Sequence, residues 1–152
     1  MDPELAKPFI KATKDVLVAM ANINPTAAKP YVKKDNTAQG DVSAVIGLSG
    51  DKNGTFAISF SKKCALHIVK QMLGDAIEDL MNDVQDAVGE ISNMISGQAR
   101  VGLVDLGVTL AGSTPSVIMG DGHTIKHVTK APVMAIPFST ENGEFTIEFC
   151  FE

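Results

Sequence analysis

Only two cysteines, three histidines, one tyrosine and no tryptophan occur among the 152 residues of this chain. So few cysteines exclude a disulfide scaffold. At this length none is required, because one domain spanning 1–152 buries roughly two thirds of its unfolded surface. No apolar run reaches the roughly 20 residues that span a bilayer, and no signal-peptide pattern is recognisable. A cytoplasmic protein is expected, with Cys64 and Cys150 as buried thiols and no membrane insertion. Basic clusters are missing too: 13 Lys plus Arg against 18 Asp plus Glu give −5, which argues against nucleic acid or anionic membrane as a partner.

Several catalytic patterns are also absent. Gly112-Ser113-Thr114-Pro115 lacks the lysine and spacing of a phosphate-binding loop, and no Gly-x-Ser-x-Gly sits between a strand and a helix. His123 and His127 have the i, i+4 spacing of helical metal ligands, but they follow Gly120-Asp121-Gly122, which favours a loop or strand, so no metal is expected there. His67 reads as a boundary side chain within a helix, and the seven methionines as adaptable core filling.

What is present is a strong alternation of patterns. Leu5, Phe9, Ala12, Val16 and Met20 recur at helical spacing, with Asp2 and Pro3 as start signals, and predict a helix to about Ala21. Asn22 to Asp35 reads as an irregular connection. Val42, Ala44, Ile46 and Leu48, then Phe56, Ile58 and Phe60, alternate on either side of Asp51-Lys52-Asn53-Gly54 and predict a hairpin. Ser61 suits an N-cap for a helix from Lys62 to Leu73, which Gly74 stops. A second start near Asp75 or Asp79 opens a long helix ending near Leu106, with Gly107 at positive φ. After it come a brief strand around Ser116 to Met119 and two stronger ones, Val133 to Thr140 and Glu144 to Phe151, with Asn142-Gly143 as a type I′ turn. Together these elements imply an α+β domain: a mainly antiparallel sheet of two hairpins plus a short strand, covered by an N-terminal helix, a short helix and the long one.

The long helix carries the unusual feature. At about 100° per residue, Asp86, Glu90, Asn93, Gly97 and Arg100 fall within a stripe roughly 80° wide, while Val84, Val88, Ile91 and Ile95 point to nearly the opposite side. A polar ridge therefore faces outward. Gly89, Gly97 and Gly102 each weaken the helix by up to about 1 kcal/mol relative to Ala, so each needs a reason. Gly102, on the apolar side, is expected to serve packing of the helix on the sheet; Gly97, beside Asn93, is expected to give a partner clearance. Taken alone, Glu90 and Asn93 would be an ordinary solvated helix face.

Asp86-Ala87-Val88-Gly89-Glu90-Ile91-Ser92-Asn93 resembles the Asp/Ser-x-x-x-Glu-x-x-Asn signature of the CheC/CheX/FliY family of chemotaxis phosphatases. Since the signature occurs once, the similarity is greatest to the CheX branch. It extends to Pro8-Phe9-Ile10-Lys11-Ala12-Thr13, to the run from Glu90 to Arg100, and to the tail from Ala131 through Phe138 and Gly143-Glu144-Phe145. Pro115 is the candidate for a proline that the family carries beyond the helix.

The resemblance implies a phosphatase acting on a phosphorylated CheY-like response regulator. Glu90 and Asn93 would be its catalytic residues, and a homodimer its assembly. Asn93 offers both donor and acceptor, so it can orient the attacking water without placing negative charge beside the phosphoryl group. Glu90 could pair with a lysine of the partner's pocket and so fix the depth of Asn93. No cofactor or metal of its own is implied, and Mg²⁺ is expected in the phosphorylated partner. Asp86 is either a contact with the partner's rim or a solvated acid; Arg100 is either a rim contact or, by preference, an ordinary surface charge. Two alternatives stand beside this: a non-catalytic module that binds a response regulator or flagellar switch component through the same ridge, and a small-molecule hydrolase or metal protein, which would need an enclosed pocket.

Overall fold

A computed structural model describes residues 3–152 apart from 36, 121, 126 and 128–130; Asp2, expected to start the first helix, lies outside the described residues. A 3₁₀ turn over Pro3–Leu5 leads into helix α1, Ala6–Ala21. Strands β1 (Thr26–Ala27), β2 (Tyr31–Lys33), β3 (Val42–Gly50) and β4 (Gly54–Phe60) follow, then helix α2 (Lys62–Leu73), a second 3₁₀ turn over Gly74–Ala76 and the long helix α3 (Leu80–Val104). Strands β5 (Leu110–Gly112), β6 (Ser116–Met119), β7 (Val133–Thr140) and β8 (Gly143–Phe151) complete the chain. All eight strands join one antiparallel sheet ordered β1-β7-β8-β4-β3-β5, in which β2 also pairs with β7 and β6 also pairs with β3.

One face of this sheet and the three helices enclose the main core. Phe56, Ile58 and Phe60 on β4 alternate inward with Phe145, Ile147 and Phe149 on β8. Phe9 on α1 stacks on Phe149 with ring centroids 4.8 Å apart and on Phe56 at 5.3 Å, so the first helix is anchored by aromatic contact to the centre of the sheet. Ser61 caps α2 by accepting the Cys64 N–H, as expected, and Gly74 beyond its end takes a positive φ of 55°. Gly107 likewise takes φ 80° after α3.

Four features depart from the sequence expectations. The stretch from Asn22 to Asp35 contributes β1 and β2 to the edge beside β7 instead of remaining irregular, and β5 adds a third short strand. Two or three residues are too few to show a period of two. The β7–β8 turn is not type I′: Thr140 pairs with Gly143, the two residues between them lack positive φ, and only Gly143, at φ 107°, has it. Gly102 packs against α1 rather than the sheet, since a Cβ there would lie 3.0 Å from that of Pro8. Finally, the second face of the sheet is covered without a helix. The segment through His123 and Ile125 lies across it, with Ile125 packed on Ala38 and Ala57 and the His123 carbonyl accepting the Ala38 N–H at 2.8 Å.

Candidate functional site

Helix α3 begins at a well-fixed point. Asp79 caps it, accepting the Asn82 N–H at 3.4 Å and the Asn82 side-chain amide at 2.9 Å, while Asp83 accepts the backbone N–H groups of Glu78 and Asp79. Val84, Val88, Ile91, Ile95, Ala99 and Leu103 then bury one side of the helix in the core. That seating turns Asp86, Glu90 and Asn93 to solvent, where all three are exposed. The ridge read from the sequence is thus outward-facing.

The ridge is one wall of an open groove of about 570 Å³, whose other wall is Thr114 and Pro115 beside Val117. Register explains that wall. Leu48 on β3 faces Gly112, but Val45 faces Ser116, so Ile46 and Gly47 stand opposite Ser113, Thr114 and Pro115. Strands β5 and β6 are therefore one edge interrupted by a bulge of a single surplus residue, which throws Thr114 and Pro115 outward toward α3. Two bonds to Gly47 pin the bulge: its carbonyl accepts the Ser113 N–H at 2.8 Å, and its N–H donates to Ser113 Oγ at 2.8 Å. Pro115, the candidate proline of the sequence, lies directly across from Glu90 and Asn93.

The glycines of α3 meet different surroundings. A Cβ at Gly89, on the groove floor, would lie 3.5 Å from Val117, an ordinary contact; at Gly97 it would meet nothing nearer than the end of Arg100, 3.9 Å away. Arg100 is not an ordinary surface charge. Its guanidinium folds back over β5, so that a Cβ at Gly112 would come within 3.2 Å of it, and its Nε is buried without a hydrogen-bond partner. Of Asp86, Gly97 and Arg100, Asp86 lines the groove with Glu90 and Asn93, while Gly97 and Arg100 lie farther along α3.

A second polar cluster, missed in the sequence, lies beneath the other face of the sheet. Glu148 on β8 accepts from Lys33 Nζ at 2.8 Å and bonds His127 Nε2 at 2.7 Å, and His127 Nδ1 is 3.4 Å from Cys150 Sγ. Burial disfavours the charged imidazole, but its bonds to Cys150 and Glu148 and the negative charge of Glu148 outweigh that and raise His127 to about 9. Burial likewise works against the Glu148 carboxylate, yet the His127 and Lys33 bonds hold it below its usual range. The available signal was an acid amid the aromatic alternation of β8. Neither cysteine is in a disulfide, and burial pushes the Cys64 thiol up to about 12. Among the described residues no three His, Cys, Asp or Glu side chains converge as a metal site.

An exposed acid–amide pair set across from a proline on a bulged edge is a constellation that can be compared with known proteins. Residues 42–139 match the family model described as chemotaxis phosphatase CheX. Among curated proteins, the CheY-P phosphatase CheX of Thermotoga maritima is 27% identical over 145 residues, covering 95% of this chain and 92% of that protein. The crystal structure of a chemotaxis protein CheX from Desulfovibrio desulfuricans is 62% identical, with a TM-score of 0.93 over 98% of this chain and 99% of that one. CheX of Borrelia burgdorferi, solved in a CheX–CheY–BeF₃–Mg²⁺ complex, shares the fold at 21% identity, with a TM-score of 0.81 over 97% of each chain. Since the family model covers well over half of the chain, including α3 and both walls of the groove, the protein belongs to the CheX family of chemotaxis phosphatases.

Proposed function

We propose that this protein dephosphorylates a CheY-like response regulator by presenting Glu90 and Asn93 to the partner's acyl-phosphate site. The observation that carries the reading is that both side chains are exposed from one rigid helix into one open groove. The curated relative is a CheY-P phosphatase, and the Borrelia relative was captured with CheY and Mg²⁺. Here the acyl phosphate and Mg²⁺ belong to the partner; this chain brings no cofactor.

In the reaction, water attacks phosphorus, the P–O bond to the partner's aspartate breaks, and the products are inorganic phosphate and the free carboxylate. Asn93 accepts a hydrogen bond from that water while its amide N–H₂ bonds a phosphoryl oxygen. Glu90 pairs with a cationic side chain at the pocket's mouth and sets the depth to which Asn93 enters. Asp86 adds an acceptor at the rim. Both main residues must enter one small hole, which is why they lie three apart on a helix.

The test is phosphate release from a phosphorylated CheY-like regulator with Mg²⁺, added with the protein or its Asn93→Ala variant. Loss of the aligned water should reduce the accelerated rate on the order of 10²-fold, about 2.7 kcal/mol, with partner binding retained. Binding of the regulator without acceleration by the unaltered protein would identify a non-catalytic module instead. A cytoplasmic homodimer belongs to the same reading: β2 offers an edge with Tyr31 and Val32 exposed, and light scattering should give twice the chain mass.

A further inference from the structure

The stripe that carries Glu90 and Asn93 does not end with them. Continuing along α3 at 100° per residue, it passes through Gly97 to Val101 and Val104, which are 72% and 55% exposed. Val101 lies about 12 Å and Val104 about 16 Å beyond Asn93 along the helix axis. Arg100 starts on the same stripe, but its guanidinium folds away over Gly112, so the stripe is acidic and polar in its first half and presents mainly Gly97, Val101 and Val104 in its second.

Neither valine serves the fold. The core-facing positions of this part of α3 are Ala99 and Leu103, and a β-branched residue on an exposed helical face is less favourable for the helix than Ala, Glu or Lys. One exposed valine would be unremarked, but two at i, i+3 spacing, Val104 about 20° from the azimuth of Asn93 and Val101 about 20° from that of Glu90, form a continuous surface with the pair. Between them and Asn93, Gly97 offers no side chain and meets no neighbour except the flexible end of Arg100, so a body lying along the stripe can approach the backbone there.

The size of the footprint argues for the same occupant. Two side chains inserted in a hole bury far less than the roughly 800 Å² per partner that a specific complex covers. Contact must spread beyond the pair, and the Thr114–Pro115 wall limits it on one flank. A protein delivering its acyl phosphate to Asn93 necessarily lies over α3.

We infer that Gly97, Val101 and Val104 form the apolar half of the docking surface for the response regulator. They would receive an uncharged, apolar patch about 12–16 Å from the regulator's phosphorylated aspartate. This rests on the phosphatase reading above. It assigns affinity largely to Val101 and Val104, and turnover to Asn93.

The experiment compares the unaltered protein, the double variant Val101→Glu/Val104→Glu, and Val18→Glu as a control on α1, where Val18 is also exposed. The probe is a CheY-like regulator loaded with Mg²⁺ and BeF₃⁻ for binding, and its phosphorylated form for turnover; mass is measured by light scattering. The inference expects a Kd and KM at least tenfold higher in the double variant, kcat within twofold, unchanged mass, and a control like the unaltered protein. A double variant that binds within twofold of the unaltered protein overturns it, as does an equal loss in the control. Weakened binding with a halved mass also overturns it, in favour of an interface between copies of this chain. If the unaltered protein neither binds nor dephosphorylates any CheY-like regulator tested, the phosphatase reading itself falls and takes the inference with it, a result distinct from the others.

Discussion

Adding one methyl group to α3 has opposite expected effects at two of its glycines, and the reason is visible in what each methyl would touch. At Gly97 there is open space, so Gly97→Ala should raise stability by about 0.5–1 kcal/mol through helix propensity. Urea unfolding checks that gain; the phosphatase assay checks the cost, which should be a higher KM as the regulator's approach is obstructed. At Gly102 the methyl meets Pro8 at 3.0 Å, and α1 is held in place by Phe9 stacked between sheet aromatics, so Gly102→Ala should forfeit the propensity gain and leave the protein no more stable than before. At the same scale, Asn93→Asp should inactivate at least as fully as Asn93→Ala, because a carboxylate would repel the phosphoryl group. The outward direction of Glu90, Asn93 and Asp86 was legible from the sequence because a helical stripe fixes which way short side chains leave the backbone, whereas their assigned roles came from the family resemblance. Arg100 was not: its long chain bends back over Gly112, a direction that spacing along a helix does not determine.

Among the elements, the long helices and paired strands were readable because each repeats its pattern over many residues. Strands β1, β2 and β5 escaped notice because they are short and owe their conformation to β7 and β3, which lie far away in sequence. The bulge between β5 and β6 is the most consequential of the unread features. Removing one residue from it, as in a deletion of Thr114, would restore a regular ladder and withdraw the outer wall of the groove. The expected result is a folded protein with weakened regulator binding, read by circular dichroism and by titration with the BeF₃⁻-loaded regulator. The type I′ expectation failed at an equally local level, since Asn-Gly sits one residue later than the loop itself.

For the molecule as a whole, stability depends on both faces of the sheet. The helical face was anticipated from alternating apolar residues, but on the opposite face Ile125 packs on Ala38 and Ala57, His123 bonds Ser43 and His127 bonds Glu148, contacts that periodicity does not report. His127 is raised above its unfolded value, so its contribution is fully present below about pH 6.5 and lost as pH climbs through about 9. Glu148 is lowered, so its contribution is present above the ordinary carboxylate range and lost on acidification. Thermal melts should therefore show Tm falling from pH 7 to pH 10, and the fall should be smaller in His127→Gln, which has no proton to lose there.

A surplus residue in one outlying strand sets the aperture, while a separate rod carries Glu90 and Asn93. Insertions or deletions between Gly112 and Ser116 can widen or narrow the opening and leave Glu90 and Asn93 where they stand. Under the proposed phosphatase reading, fit to a client protein and chemical competence would thus be separately heritable, and a lineage could exchange one client for another without rebuilding its catalyst.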